Sequence, residues 1–275
     1  MPLAFETLQV KKEGAVLFAD IAAPPMNRLG PELVRDLVSL LQETEGDDTV
    51  RVLVFGSADP DYFISHVDVT RIGEYREATV KLTAEPSLGL LFRHLSASRL
   101  VSIAQISGRV RGGGSEFALA CDMRFAARES AIFGQFEAAF GVIPGAGAPQ
   151  HLARLMGRAR ALEVMLSAED YDADLAERYG WINRALPADG LGPFVQSLAH
   201  RIAGFPTSGQ VSVKEMVNSI GLAPTEEFRR DSEQFIEGVR RPETQERIRA
   251  AMKRGFQTRI GEMNLARLLG DLSGH

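Results

Sequence analysis

The stretch Ile103-Ala104-Gln105-Ile106-Ser107-Gly108-Arg109-Val110-Arg111-Gly112-Gly113-Gly114-Ser115-Glu116 decides how this chain is read. Its first residues suit a buried strand, Ser107-Gly108 turns the chain, and Gly112-Gly113-Gly114 opens a helix-like run from Ser115 to Cys121. Adjacent glycines at a strand-to-helix junction let a ligand approach the backbone closely. They also leave N–H groups unpaired at a helix N-terminus, where the helix dipole favours negative charge. Two readings are open from these residues alone: a tight turn without a ligand, or half of an oxyanion site with Glu116 beside it.

Upstream, Val50 to Gly56 reads as a second buried strand, separated from the first by a helical stretch around Leu88 to Leu95. Strand, helix, strand implies parallel crossovers and an α/β core. Phe5 to Lys11 and Ala15 to Ile21, joined by Lys12-Glu13-Gly14, predict a hairpin at the sheet edge. Pro31 to Glu45 spaces Leu33, Leu37, Leu40 and Leu41 as a helix. Downstream, Met123 to Ala127 and Ser130 to Phe133 look extended, and Pro149 to Leu166 predicts a long helix. Past Leu191 strand signals fade, with helical patterns at Phe194 to Ala203, Ser208 to Ile220, Thr225 to Gly238 and Thr244 to Arg254. We therefore expect an α/β core over residues 1–195 and a helical region over 196–275 that covers either its own core or a neighbour's.

Composition narrows the function. A net charge of -5 over 275 residues argues against a broad nucleic-acid-binding face. The single Cys121 excludes an intramolecular disulfide and leaves too few thiols for a zinc or iron–sulfur site, so no metal is expected and a reducing compartment, the cytoplasm, fits. Met1 to Glu6 lacks the basic start and apolar run of a signal peptide, and no apolar stretch reaches the roughly 18–20 residues of a membrane span. Cys121 itself reads as small core filling, and His94 and His151 have no ligand-type neighbours in sequence.

Two more segments bear on the glycines. Asp59-Pro60-Asp61-Tyr62-Phe63-Ile64-Ser65-His66-Val67-Asp68 follows the Val50 to Gly56 strand, at the sheet end where ligands of α/β proteins gather. Phe133-Gly134-Gln135-Phe136-Glu137, followed by Gly141-Val142-Ile143-Pro144-Gly145-Ala146-Gly147, brings a second carboxylate into a loop-rich setting.

Together these segments resemble the crotonase, or enoyl-CoA hydratase/isomerase, family over nearly the full chain. The matching motifs are the Asn27-Arg28 turn, Phe63 to Asp68, Ser107-Gly108 leading to Gly112–Glu116, Gly134 to Glu137, Gly141 to Gly147, and Tyr171 to Asn183. The resemblance implies a spiral of ββα units, a C-terminal helical trimerisation region, and homotrimers or dimers of trimers that bind acyl-CoA. Coenzyme A would enter only as part of the thioester, with no tightly bound cofactor. By position, the N–H groups of Val67 and Gly113 would form an oxyanion hole for a thioester enolate. Glu116 and Glu137 would be the carboxylate pair, one activating water while the other delivers a proton. The implied substrate-binding set is Arg28, Ser65, His66, Val67, Asp68, Gly112, Gly113 and Lys253. Lys253 with Phe256 resembles a C-terminal CoA-binding element, and Arg254 is a further phosphate candidate.

The chain departs from the family pattern at three places. The usual Ala-Gly of the first loop is Ser65-His66, so His66 either selects substrate or moves protons, or it points away. Arg109 and Arg111 precede the glycines and either contact a CoA phosphate or acidic acyl group, or form a solvated or subunit-facing surface. Phe136 stands where hydratases usually carry proline. The expected activity is addition of water to a 2-enoyl-CoA thioester. The alternatives are another reaction of the family, whether double-bond isomerisation, thioester hydrolysis or decarboxylation, or a catalytically weak CoA-binding subunit.

Overall fold

A computed structural model describes residues 5–272 of the chain. β1 (Leu8–Glu13) and β2 (Val16–Ile21) form the expected antiparallel hairpin, and β1 is the outer strand of the sheet. α1 (Pro31–Glu45) starts on a proline at its first turn and buries Leu33, Val34, Leu37, Val38, Leu40 and Leu41. Each such side chain contributes at most about 1.5–3 kcal/mol of transfer free energy.

The chain then repeats one pattern three times. β3 (Val52–Ser57) runs into the short β4 (Tyr62–Ile64), followed by α2 (Ile72–Glu77), α3 (Val80–Thr83) and α4 (Leu88–Ala97). β5 (Val101–Ile106) runs into β6 (Arg109–Arg111) and then α5 (Gly113–Ala120). β7 (Met123–Ala127) runs into β8 (Ile132–Gly134), a 3-10 turn at Glu137–Phe140, and α6 (Ala148–Ser167). The first strand of each unit joins a six-stranded sheet of order β1-β2-β3-β5-β7-β10, and the second joins a four-stranded sheet of order β4-β6-β8-β9. The repeat is the expected ββα spiral, and it stacks corresponding loops of successive units at one end.

The resemblance implied a second strand in each unit, but the residues themselves did not mark it: Tyr62–Ile64 read as loop and Arg109–Arg111 was given no element. A three-residue strand shows no alternation, and only its partners make it a strand. α6 breaks at Gly157, whose φ of 78° interrupts the helix expected to be continuous. After it come β9 (Tyr171–Asp172), α7 (Ala173–Tyr179), begun by the Asp172 side chain accepting from the Leu175 N–H, and β10 (Arg184–Leu186). The Tyr171 to Asn183 motif is thus a buttress: Trp181 packs on Phe133, and Asn183 Oδ1 accepts from the Arg124 N–H.

The helical remainder comprises α8 (Ala188–Ala203), α9 (Thr207–Gly221), α10 (Thr225–Val239), α11 (Pro242–Lys253), α12 (Arg259–Met263) and α13 (Leu265–Asp271). The expected boundary at 195 falls within α8, where Leu191, Val195 and Ala199 pack on the six-stranded sheet beside Val52, Val54 and Ile103. Among the described residues no helix is long and apolar enough to cross a membrane. Cys121 is buried behind α5, its thiol pushed up to about 12 by burial.

Candidate active site

The ends of β4, β6 and β8 converge on one narrow cavity. Gly112 takes φ +51° and donates its N–H to the Gly134 carbonyl. A Cβ there would stand 3.0 Å from Glu137 Oε1 and 3.4 Å from His66 Cβ, so glycine is what lets the three segments meet. Gly113 opens α5 against the 63–68 loop, and a Cβ on it would stand 2.6 Å from Val67 Cγ1 and 3.8 Å from Val67 N. Val67 makes a parallel bridge with Leu29, in which Leu29 N–H donates to the His66 carbonyl and Asp68 N–H to the Leu29 carbonyl. That register turns the Val67 N–H away from Leu29. Among the described residues, neither the Val67 nor the Gly113 N–H has an acceptor.

Glu116 lies in the first turn of α5 and faces the start of α6. Its Oε1 accepts from the N–H groups of Ala146 (2.7 Å) and Ala148 (3.1 Å). Burial, and then the neighbouring Glu137, nevertheless push its carboxyl well above the ordinary 4.5. Glu137 opens the 3-10 turn, and its Oε2 accepts from Gln135 Nε2 at 2.9 Å. Burial raises it to about 7 against the pull of that amide and of nearby N–H groups. Two carboxyls in one dry space keep at least one proton between them near neutrality.

His66 does not point away. Its ring lies flat on Phe256 at 4.8 Å and edge-on to Phe136 at 5.5 Å, and it lines the cavity. Nδ1 faces the Val67 carbonyl (2.6 Å) and Nε2 faces Glu262 Oε1 (2.9 Å). The ring is therefore held through both nitrogens. Burial alone would raise the Glu262 carboxyl, but His66 and the Gln257 N–H outweigh it and hold the group below its ordinary value.

Arg111 corrects both readings offered for it. It is fully buried, its Nε and Nη2 donate to Asp170 at 2.7 and 2.6 Å, and its Nη1 donates to the Glu262 carbonyl at 2.8 Å. It fastens α12 to the core and meets neither solvent nor the cavity. Arg109 lies over the Tyr62 ring, 5.9 Å from its centroid.

Of the remaining residues singled out in the sequence, His66, Val67, Gly113, Glu116 and Glu137 line the cavity. Ser65 is buried behind it with no partner for its hydroxyl. Asp68 accepts from the Thr70 N–H and hydroxyl and from Gln257, and Arg28 stands 3.9 Å from it. Lys253 and Arg254 are exposed at the end of α11, apart from the lining. Phe136, Phe140, Val142, Phe235 and Val239 narrow the cavity.

Tyr75, Gln135 and Glu262 also belong to the site and were not found in the sequence. Gln135 sits inside the Gly134–Glu137 motif and could have been noticed as a carboxylamide two residues before a carboxylate. Glu262 lies 196 positions from His66, in a segment without a local motif. Tyr75 falls on a one-and-a-half-turn helix that no periodicity marks.

The strand ends thus bring two buried glutamates and two N–H groups without an acceptor to one cavity. The chain belongs to the enoyl-CoA hydratase/isomerase family, whose sequence profile matches residues 11–257. A Mycobacterium bovis protein provisionally named enoyl-CoA hydratase echA8 is 32% identical over 78% of this chain and 82% of its own. The short-chain-enoyl-CoA hydratase of Clostridium acetobutylicum is 30% identical over 74% of this chain and 77% of its own. A crystallised Streptomyces avermitilis protein, provisionally described as an enoyl-CoA hydratase, superposes with a TM-score of 0.94 at 50% identity, covering 97% of each chain.

Proposed function

We propose that the protein adds water across the double bond of a 2-enoyl-CoA thioester. The carrying observation is that Glu116 and Glu137 share one dry cavity with the unpaired N–H groups of Val67 and Gly113. In this reading the thioester oxygen sits against the two N–H groups, which act most strongly on the charge that appears there as water attacks the third carbon. One glutamate takes the proton of the attacking water, and the electron pair moves onto the thioester oxygen. The other glutamate delivers a proton to the second carbon as the enolate collapses. Their raised affinities suit proton exchange near neutral pH. Coenzyme A enters as part of the substrate, no resident cofactor takes part, and the reaction belongs in the cytoplasm.

Purified protein assayed by product mass against a panel of 2-enoyl-CoA thioesters tests the reading. Glu116→Gln and Glu137→Gln are each expected to lower kcat by roughly 10²–10⁴-fold. Turnover indifferent to both substitutions rejects the assignment, and isomerised, hydrolysed or decarboxylated products move the protein to another reaction of its family. CoA binding without turnover of any thioester leaves a binding subunit. We also infer that α9 joins copies of the chain into a homotrimer or a dimer of trimers, because its apolar stripe faces outward.

A further inference from the structure

Two donors in the cavity wall have no use in the hydration step. Tyr75, on α2, is 1% exposed and lines the cavity, yet its hydroxyl has no hydrogen-bond partner. Buried polar groups are almost always paired, so an orphaned hydroxyl on a cavity-lining residue calls for a partner. Arg76, the next residue, lines the same cavity and is the one arginine or lysine among its described lining residues. Its Nη1 donates to the Ser232 carbonyl (3.1 Å) and hydroxyl (2.8 Å), which fix the guanidinium without neutralising it. Among the described residues no carboxylate stands within ion-pairing distance of Arg76, whereas Arg71, one turn earlier, is paired to Glu32 and Glu74.

Tyr75 and Arg76 line the same cavity as Glu116 and Glu137, so a chain leaving the reacting carbons at the glutamates shares that space with both donors. The wall between is apolar, made by Ile72, Leu88, Val142 and Phe235. These side chains crowd the space between, which favours a short chain.

We propose that the acyl group taken by this site is short and ends in a carboxylate, received by the Arg76 guanidinium and the Tyr75 hydroxyl. A methyl terminus would leave the Tyr75 hydroxyl unpaired and give the Arg76 guanidinium no counter-charge, whereas a carboxylate accepts from both and supplies that charge. The proposal rests on the thioester reading above and adds the class of acyl group.

The test compares crotonyl-CoA, with a methyl terminus, against glutaconyl-CoA, with a carboxylate terminus. The wild type is expected to favour glutaconyl-CoA by at least tenfold in kcat/KM. Arg76→Gln is expected to bring that ratio down tenfold or more, through KM, and Tyr75→Phe to bring it down severalfold. Equal use of the two thioesters, or a ratio unmoved by both variants, overturns the proposal. So does an Arg76→Gln variant that weakens both thioesters alike, which would assign Arg76 to the CoA moiety. If Arg76→Gln fails to fold, Tyr75→Phe reads the same ratio. Should the wild type hydrate neither thioester, calorimetry with glutaryl-CoA and butyryl-CoA separates the two ideas. Tighter glutaryl-CoA binding that Arg76→Gln abolishes upholds the carboxylate end while the hydratase reading falls, and equal binding overturns the carboxylate end as well.

Discussion

Helices α9 and α10 are each 15 residues long and adjacent in sequence, yet they face the core in opposite senses. α10 turns Phe228, Phe235 and Val239 inward, with Phe228 fully buried and Phe235 against Gly145 at the cavity. α9 turns its polar side inward: Lys214 Nζ donates to the Leu100 carbonyl and pairs with Asp122, and Asn218 Nδ2 donates to the Ser96 carbonyl. Its apolar residues Val213, Met216, Val217 and Ile220, at i, i+3, i+4 and i+7, point outward and are 61–87% exposed. Helical periodicity is present in both. What differs is the partner, so α10 to α12 act as the roof of this chain's own cavity, while α9 presents a face to something else.

The roof is held most firmly at α12, and removing that fastening gives the largest expected effect. Glu262→Ala removes the carboxylate that holds the buried His66 ring, and a loss of about 3–5 kcal/mol in denaturant unfolding is expected. Replacing His66 and Glu262 together by leucine is expected to recover most of it, since a packed apolar pair carries no desolvation penalty. A loss under about 1 kcal/mol for Glu262→Ala would mean that Arg111 and Tyr62, which donate to the Glu262 and Arg259 carbonyls, hold α12 without the ion pair.

A smaller effect follows from the dryness that the roof imposes. Glu137 is raised to about 7, so its protonated form is the one folding favours. Its contribution is complete below about pH 4.5 and is lost as pH rises through about 7, amounting to no more than about 3 kcal/mol. Glu262 has the opposite sign: its pKa is lowered, so its contribution is present above the ordinary carboxylate value and lost as pH falls. Chemical unfolding at several pH values is expected to show a decline from pH 5 to 7, to which Glu116 contributes with the same sign and which Glu137→Gln makes shallower. An unchanged slope in that variant would show that water enters beneath α10.

Legibility in the sequence follows the same division. The glycines, Glu116 and Glu137 were readable because each sits in a short motif whose backbone demands are local. Gly112 needs a positive φ, and Gly113 needs the space taken by Val67. The hairpin, α1, α4 and α6 were readable because their apolar spacing is regular over many residues. β4 and β6 were not, because they exist only by pairing with each other and with β8. Arg111 was misread because its type suggests phosphate, whereas its partner Asp170 lies 59 positions away. Glu262 was missed for the same reason at greater distance. Pattern also cannot say which of two amphipathic helices is covered by its own chain, and the inward Lys214 and Asn218 of α9 reveal it only in three dimensions.

The smallest effect on the single chain is expected on α9. Ile220 is 87% exposed, so in an isolated chain Ile220→Asp exchanges one hydrated side chain for another, and stability should move by no more than about 0.5 kcal/mol. In an assembly that buries the stripe, the same carboxylate would be stripped of water beside Val213, Met216 and Val217 without a counter-charge. Sedimentation velocity on wild type and variant therefore separates two cases that unfolding of the chain cannot. A wild-type particle several times the 30.0 kDa chain mass, reduced towards that mass by Ile220→Asp, places α9 at an interface between copies. An unchanged particle mass removes α9 from that interface, and the outward stripe then has to be covered by a different partner.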